Sequence, residues 1–372
     1  METAEVQTFI DTARKFARRE VAPMVGTEGR DGDLARLSEI LKSASNVGLL
    51  ATPDPQSPGH EYGVWGRASL SEGPAASIAI LQEVAAACPG VAACLHFSGL
   101  AALELEGSSL TSQTCAVALY EDSWRLGSDA LKTPPADALK ITAEGNRIIL
   151  AGEKSLVPSA PDCKGYVVYG AGKSGWSRVF VPADSPGLEI EDPGQRTGLA
   201  ALKVASLNFE KVSVDQDQEL PARDLSGFLR RLFLGIAAIA AGNARAAVDE
   251  ASAYARERYQ GRTKIINHPA IKILLGDAAS RVSASESHLK SAADRDCDDL
   301  ESFFRAAAAK LRITLDCCQA VTDSLQALGG YGYMEDYRIE KRLRDALTLK
   351  VMAGRPDDLR MLIAAKSEEA GS

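Results

Sequence analysis

The stretch ALGGYGYMEDYRIEKRLRDAL, residues 327–347, decides the fold of this chain. In it, a pair of glycines ends an apolar helical run, tyrosines follow, and a segment dense in charge comes next. Glycine lacks the Cβ atom that excludes positive φ, so the pair lets the backbone turn sharply and approach a ligand closely. Shortly afterwards the chain reads VMAGR at 351–355. The stretch therefore predicts a long helix, a glycine turn and a charged helix.

The composition bounds the class of protein. The chain has 372 residues, 45% of them hydrophobic and 25% charged, which is typical of a globular protein of two or three domains. The formal net charge of −8 argues against a nucleic-acid partner, because a phosphate-binding surface needs clustered Lys and Arg. The cysteines and histidines show no metal-ligand spacing, so we expect no metal site.

Hydropathy gives an expectation about location. No apolar run approaches the roughly 20 residues that span a bilayer. The N-terminus is charged and amphipathic, and it lacks the apolar core of a signal peptide. We therefore expect a cytoplasmic protein with no membrane span.

Periodicity divides the chain into three zones, 1–113, 114–215 and 216–372. In the first zone, apolar residues recur at helical spacing. The second consists of short β-branched or aromatic runs separated by Gly, Pro, Asp and Ser, which is typical of a small β barrel or sandwich. In the third, long helical segments and the shorter one after the glycines predict a four-helix bundle. The expected class is α+β, mainly α.

Four motifs in this order resemble the acyl-CoA dehydrogenase family, and the resemblance covers nearly the whole chain. They are ALYED at 118–122 with GSD at 127–129, LAGEK at 150–154, YARERYQ at 254–260, and the block at 327–347. The α–β–α order of the zones is also that of the family. The resemblance implies FAD as the cofactor and an acyl-CoA thioester as the substrate. It also implies a related chain or a second copy as oligomeric partner, and an electron-transferring flavoprotein as electron acceptor.

The family's reaction needs a carboxylate base, because a proton leaves the α carbon of the thioester while a hydride passes to the flavin. Members place this base in one of two positions, which correspond here to Ala353 and Arg230. An alanine cannot accept a proton, and an arginine side chain stays protonated near neutrality. Glu340 and Asp336 lie nearby and could be considered as substitute bases. A position on a solvated helix face is the better explanation for both. The resemblance therefore implies a chain with no catalytic residue of its own.

In the family, the FAD contacts divide between two chains. The positions with which a chain holds its own flavin ring have all changed here, to Tyr120, Leu156, Pro158 and Arg355. The positions with which a chain serves its neighbour's FAD are kept here, as Arg258, Gln326, Gly329 and Gly330. An arginine suits pyrophosphate because its planar fork donates two parallel hydrogen bonds. What this chain would do for its own flavin is lost, and what it would do for a neighbour's flavin is partly kept.

Three interpretations follow from this pattern. The leading one is a non-catalytic subunit of a heteromeric acyl-CoA dehydrogenase, a heterotetramer by analogy, that acts on a bulky thioester such as a steroid side-chain intermediate. The second is an acyl-CoA enzyme with altered chemistry, in which Arg230 and Arg355 bind an acidic acyl group and support elimination or decarboxylation. The third is a scaffold protein with neither flavin nor turnover.

The charged segment RIEKRLRD, residues 338–345, carries two pairs at (i, i+4) spacing. Glu340 with Arg344 and Lys341 with Asp345 are placed to form ion pairs on one helix, each worth about 0.2–0.5 kcal/mol. The segment therefore predicts an exposed helix or an interface.

Overall fold

The computed structural model shows a helical zone, a β zone and a second helical zone in chain order. The structure describes residues 3–23, 25, 36–51, 62–66, 73–106, 108, 114–121, 125, 126, 131–294 and 299–369. The GSD motif at 127–129 lies outside the described residues. The expected class, α+β and mainly α with a C-terminal helical bundle, is confirmed.

The described residues of the N-terminal zone form four α-helices and a 3-10 turn at Gly63–Trp65. The α-helices are α1 (Thr3–Phe16, which continues as a π-helical turn, Ala17–Val21), α2 (Leu37–Asn46), α3 (Pro74–Ala87) and α4 (Pro89–Glu104). Proline begins both α3 and α4, where its missing N–H has no intrahelical partner to lose. Between the two helices, Cys88 has an extended backbone.

In the described part of the middle zone the strands form one eight-stranded sheet. Its strands are β1 (Cys115–Ala118), β2 (Lys140–Glu144), β3 (Arg147–Pro158), β4 (Gly165–Gly172), β5 (Gly175–Pro182), β6 (Leu188–Glu191), β7 (Val204–Asp215) and β8 (Glu219–Leu220). They lie in the order β6-β7-β3-β2-β4-β5-β8, and β1 pairs with β4 in parallel. One face of this sheet forms its own apolar core around Leu150, Val168 and Leu207.

The C-terminal zone is the helical bundle. It contains α5 (Leu225–Glu257), the short strands β9 (Tyr259–Gln260) and β10 (Thr263–Lys264), α6 (Pro269–Ala293), α7 (Leu300–Ala327), α8 (Ile339–Val351) and α9 (Pro356–Glu369). A 3-10 turn, Gly329–Tyr333, joins α7 to α8. Helix α7 packs against α5, α6 and α8. Helix α9 was not expected, because no pattern in the sequence marked it as separate from α8.

The long helix α5 corrects one expectation. By length and composition it is apolar enough to span a bilayer, so the statement that no apolar run approaches this length is wrong. Nearly all of its most apolar stretch is buried inside the protein. At Gly242 an added Cβ would lie 2.3 Å from the carbonyl oxygen of Gln82 on α3, so glycine is what lets these two helices approach. Helix α5 is therefore the core helix against which the two helical zones pack.

The charged helix α8 is tied into the core. Both predicted pairs form: Arg344 contacts Glu340 at 2.7 Å, and Lys341 contacts Asp345 at 2.9 Å. The expectation of an exposed helix is nevertheless wrong for two of its charges, because Arg342 is 5% exposed and Asp345 1%.

The buried charges of α8 have distant partners. Arg342 donates to Glu250 on α5 at 2.7 Å and to the carbonyl oxygen of Ala86 on α3 at 2.9 Å. Asn243 on α5 donates to the carbonyl oxygen of Arg342 at 2.9 Å. Asp345 accepts a hydrogen bond of 2.6 Å from the backbone N–H of Leu199, which precedes β7. Helix α8 therefore joins the bundle to both other zones.

His96 is buried where α4 meets α5. Trp65 Nε1 donates to His96 Nδ1 at 3.0 Å, so the proton of the neutral ring lies on Nε2. A Cβ added to Gly235 on α5 would lie 2.1 Å from the ring, which shows how closely the helix covers it. Burial lowers the pKa of His96 to about 3 from an ordinary value of 6.5.

We expect this histidine to make the protein acid-sensitive below pH 6.5. Between pH 6.5 and about 3 the unfolded chain binds a proton that the folded protein does not, so stability falls as the pH falls. The loss amounts to about 2 kcal/mol at pH 5 relative to pH 7. Denaturant unfolding of the wild type and His96→Gln at both pH values measures it. The difference in free energy of unfolding between the wild type and the variant should be smaller by that amount at pH 5 than at pH 7. An unchanged difference would contradict the lowered pKa of His96.

Candidate functional site

A cavity of about 350 Å³ lies where the two helical zones meet the sheet. Buried apolar side chains form its floor: Leu100, Leu119, Leu126, Phe228 and Leu232. Its mouth carries half-exposed side chains, among them Leu156, Val351 and Arg355. The volume falls at the lower end of the range for small-molecule sites, roughly 300–1,000 Å³.

The residues that the resemblance assigns to the ring-holding positions gather around this cavity. Tyr120, Leu156, Pro158 and Arg355 all line it, and so does Ala353, one of the two positions that the resemblance assigns to the base. They come from the end of β1, from β3 and from the α8–α9 loop. The structure therefore brings together residues that are far apart in sequence.

Arg230, the other position that the resemblance assigns to the base, is placed differently. Its side chain is fully buried, and it is not among the residues that line the cavity. On the same helix, Phe228 and Leu232 line it instead. Residues two positions apart on a helix point about 200° apart, so Arg230 and Leu232 face different sides. Sequence reasoning missed Leu232 at the wall; neither leucine nor a buried arginine supplies a base.

The α8–α9 loop is held by a lysine that sequence reasoning also missed. Lys310 on α7 is fully buried, and its Nζ donates to the carbonyl oxygens of Lys350, at 3.1 Å, and Gly354. Burial lowers its pKa to about 7. Ala353 has a φ of 56° and Gly354 one of 118°, so the loop turns through conformations that most side chains disfavour. The signal in the sequence was a lone lysine within the apolar run AAAAKL, residues 306–311.

A β-bulge shapes the opposite wall. The register between β3 and β7 shifts between Lys154 and Val157, and Leu156 in the bulge has a φ of 51° and is 56% exposed. Lys154 is fully buried, forms an ion pair with Glu121 and donates to the carbonyl oxygen of Leu119 at 2.9 Å. Burial lowers the pKa of Lys154 to about 8, against the opposing effect of Glu121. The bulge thus turns Leu156 to the cavity, and the ion pair fixes the strand behind it.

The four kept positions lie on an open surface. The guanidinium of Arg258, at the end of α5, stacks on the ring of Tyr331 with its Cζ 5.1 Å from the ring centre. Gly329 has a φ of 60°, and a Cβ added to Gly329 or Gly330 would meet nothing within 4 Å. Gln326, one turn earlier, is exposed. The glycine turn therefore presents bare backbone beside a cation.

Aromatic side chains surround this turn. Tyr331 packs against Tyr254 and Tyr337, with ring centres 6.2 and 5.5 Å away. Beyond this cluster Tyr333 is 87% exposed, and Met334 is also exposed. Tyr333 and Met334 therefore place exposed side chains next to the glycine turn.

Comparison with known families matches both helical zones. Residues 3–111 match the acyl-CoA dehydrogenase N-terminal domain, and residues 228–367 match the acyl-CoA dehydrogenase C-terminal domain. Among individual proteins, the chain is 29% identical to a probable acyl-CoA dehydrogenase, YngJ, of Bacillus subtilis, over 97% of both chains. It is 25% identical to a cyclohexane-1-carbonyl-CoA dehydrogenase of Geobacter metallireducens, over 97% of this chain and 96% of the other.

Solved structures show the same fold. Butyryl-CoA dehydrogenase from Megasphaera elsdenii superposes with a TM-score of 0.83 at 21% identity, covering 99% of both chains. A glutaryl-CoA dehydrogenase from Mycobacterium smegmatis gives the same TM-score at 19% identity, covering 99% of this chain and 96% of the other. Both family matches and the shared three-zone fold lead to one conclusion. The chain belongs to the acyl-CoA dehydrogenase family, whose members are oxidoreductases that act on CH–CH groups and use FAD.

Proposed function

We propose that this chain is a subunit of a heteromeric acyl-CoA dehydrogenase, that it lacks its own base, and that it completes the FAD site of a related chain. One observation carries the proposal. The kept positions, Arg258, Gln326, Gly329 and Gly330, form an open surface, whereas the chain's own cavity has Ala353 in place of a base.

The open surface has the chemistry that a dinucleotide needs. Arg258 offers a guanidinium that is already oriented by Tyr331, and pyrophosphate accepts two parallel hydrogen bonds from such a group. The bare backbone at Gly329 and Gly330 allows a ligand to approach without meeting a Cβ. These residues would hold the pyrophosphate end of an FAD bound to the partner. The flavin, when bound, supplies the hydride acceptor of the reaction.

The chain's own cavity does not suit the flavin ring. Pro158 has no backbone N–H to donate, and Leu156 contributes only an apolar side chain. Arg355 is engaged by Asp358, with distances of 3.0 and 3.1 Å. Among the described residues that line the cavity, both carboxylates are engaged by cations: Glu121 by Lys154 and Asp358 by Arg355. The ring and the base would therefore come from the partner chain.

The family and the relatives support a coarse assignment of substrate and setting. The substrate would be an acyl-CoA thioester that loses hydrogen at its α and β carbons. A bulky acyl group, for which a steroid side chain is one model, is supported by the relatives named cyclohexane-1-carbonyl-CoA dehydrogenase. An electron-transferring flavoprotein would accept the electrons, and the complex, for instance a heterotetramer, would work in the cytoplasm.

Flavin stoichiometry tests the proposal. The chain is purified alone and after co-expression with each related acyl-CoA dehydrogenase chain encoded near it, and FAD is released and counted against protein. We expect a colourless chain alone and, with the right partner, a yellow complex that holds fewer flavins than chains. A chain that binds a full complement of FAD by itself, and whose flavin is reduced by an acyl-CoA, would sink the proposal.

A second candidate, turnover of an acidic acyl-CoA by elimination or decarboxylation, has weaker support. Arg355 lines the cavity, but Arg230 does not, so the expected pair of arginines is not assembled there. Turnover that depends on an acidic acyl group and disappears in Arg355→Ala would favour this candidate. A scaffold role without flavin would instead require that neither the chain nor any complex of it is yellow.

A further inference from the structure

We infer that a groove between α1, α3 and α5 binds a short zwitterion, a molecule in which a few methylene groups join a carboxylate to an ammonium group. The carboxylate is bound by Arg18 and the ammonium group by Asp249. None of the residues that line this groove lines the cavity at the sheet or belongs to the surface around Arg258. Absence of binding here would leave the proposed FAD surface unaffected, and the reverse also holds.

The groove has a volume of about 320 Å³ and is formed by one face of each helix. Its charged lining residues are Arg14, Arg18, Glu83, Arg245 and Asp249, and the others are alanines. On α1 and on α5 the charged residues are four positions apart, a spacing that places them on the same side of a helix. The groove is therefore charged at its rim and apolar at its floor.

The alanines of the floor leave room for a methylene chain. Ala86 and Ala87 form the last turn of α3, and Ala17 begins the π-helical turn that follows α1. The backbone N–H of Ala22 donates to the carbonyl oxygen of Ala17 at 2.8 Å, which is the bond of a π-helix, and both residues line the groove. Turns of this kind often lie at functional sites. Methyl groups offer apolar contact without filling the space above them.

One layer of the groove is an ion-pair cluster with no charge to spare. The carboxylate of Glu83 joins two guanidiniums, because it accepts from Arg14 Nε at 2.9 Å and from Arg245 Nη2 at 3.1 Å. Arg14 also contacts Asp11 at 2.8 Å, and Arg245 lies 3.5 Å from Glu286 on α6. These charges hold the three helices together and are already satisfied.

The next layer carries two charges that are not satisfied. Arg18 and Asp249 lie one turn further along α1 and α5 than the two clamped arginines, and both are exposed. Within the part of the chain that the structure describes, neither forms a hydrogen bond or an ion pair. A simple anion in the groove would be repelled by Asp249, and a simple cation by Arg18. A ligand that carries both charges is attracted by both residues.

The floor and the α5 wall are held in place from below. Arg342 on α8 donates to the carbonyl oxygen of Ala86 at 2.9 Å and to Glu250, the neighbour of Asp249, at 2.7 Å. The same guanidinium thus fixes the end of α3 against α5. A ligand binds to a groove that is already formed, which reduces the entropy lost on binding.

Ligand-observed NMR, by saturation transfer from the full chain at low salt, tests the inference. The ligands are glycine, 4-aminobutyrate and 6-aminohexanoate, each compared with the analogue that lacks its ammonium group and the analogue that lacks its carboxylate. At least one zwitterion should bind saturably, and its length reports the gap between the two charges. Each single-charge analogue should bind at least about fivefold more weakly, the factor expected for a solvated ion pair.

Two pairs of variants locate the binding. Arg18→Gln and Asp249→Asn should each weaken the zwitterion about fivefold, and the double variant should bind it no better than a single-charge analogue. Arg19→Gln and Asp277→Asn are the matched controls, since both residues are exposed and neither lines the groove, and they should leave binding unchanged. Absence of saturable binding by all three zwitterions, equal binding of a single-charge analogue, or equal effects of the two pairs would overturn the inference.

Discussion

Replacement of Arg342 by alanine is expected to lower the free energy of unfolding by about 2–4 kcal/mol. The guanidinium is buried among partners from two other helices: Glu250 and Asn243 on α5 and the carbonyl oxygen of Ala86 on α3. Its removal leaves the partly exposed Glu250 carboxylate without its cation, and it takes a donor from the carbonyl oxygen of Ala86 and from the buried amide oxygen of Asn243. Urea unfolding followed by circular dichroism measures the effect.

A second arginine on the same helix is the control. Arg344 forms a 2.7 Å pair with Glu340 on α8 itself and is 25% exposed, so Arg344→Ala should cost less than about 1 kcal/mol. Arg342→Lys should fall between the two variants, because an ammonium keeps the charge but cannot reach several acceptors as a planar fork does. Equal losses in Arg342→Ala and Arg344→Ala would show that the buried network contributes nothing particular.

The two arginines also show which part of the fold the sequence predicts. Pairs four residues apart are local, so spacing alone was enough to predict Glu340–Arg344 and Lys341–Asp345, and both form. The burial of Arg342 depends on α3 and α5, which are about 90 to 260 residues away in the chain, as the separations of 92 and 256 residues to its partners show. No periodicity within α8 carries that information.

The same limit applies to the site. The family resemblance assigned Tyr120, Leu156, Pro158 and Arg355 to one site, and the structure places all of them around one cavity. Lys310 could not be predicted in this way, because its role depends on carbonyl groups of a loop some 40 residues later, at separations of 40 and 44. The sequence motif also did not predict that Leu232, and not Arg230, lines the cavity wall. A motif does not specify which side of a helix faces a cavity.

If the proposed heteromeric complex forms, replacement of Arg258 by alanine is expected to weaken its retention of FAD about 10- to 150-fold, although the flavin ring would sit on the partner chain. The range corresponds to the loss of a hydrogen bond to a charged group, about 1.5–3 kcal/mol. Titration of the flavin-free complex with FAD measures the dissociation constant, and the thermal unfolding of the complex shows whether the variant remains assembled.

The structure makes Arg258 a sharper test than other basic residues of the same turn. Its backbone N–H donates to the carbonyl oxygen of Tyr254 at 2.9 Å, and its side chain stacks on Tyr331, so the guanidinium is held before a ligand arrives.

Arg256, two residues earlier in the last turn of α5, is exposed and provides the control. If FAD is steered only by positive charge, Arg256→Ala and Arg258→Ala will weaken it equally. If Arg258 donates to the pyrophosphate, only Arg258→Ala will release FAD, and Arg258→Lys will restore part of the affinity because it keeps the charge without the fork. Undiminished FAD binding in Arg258→Ala would show that the surface around Arg258 does not contribute to binding the partner's FAD.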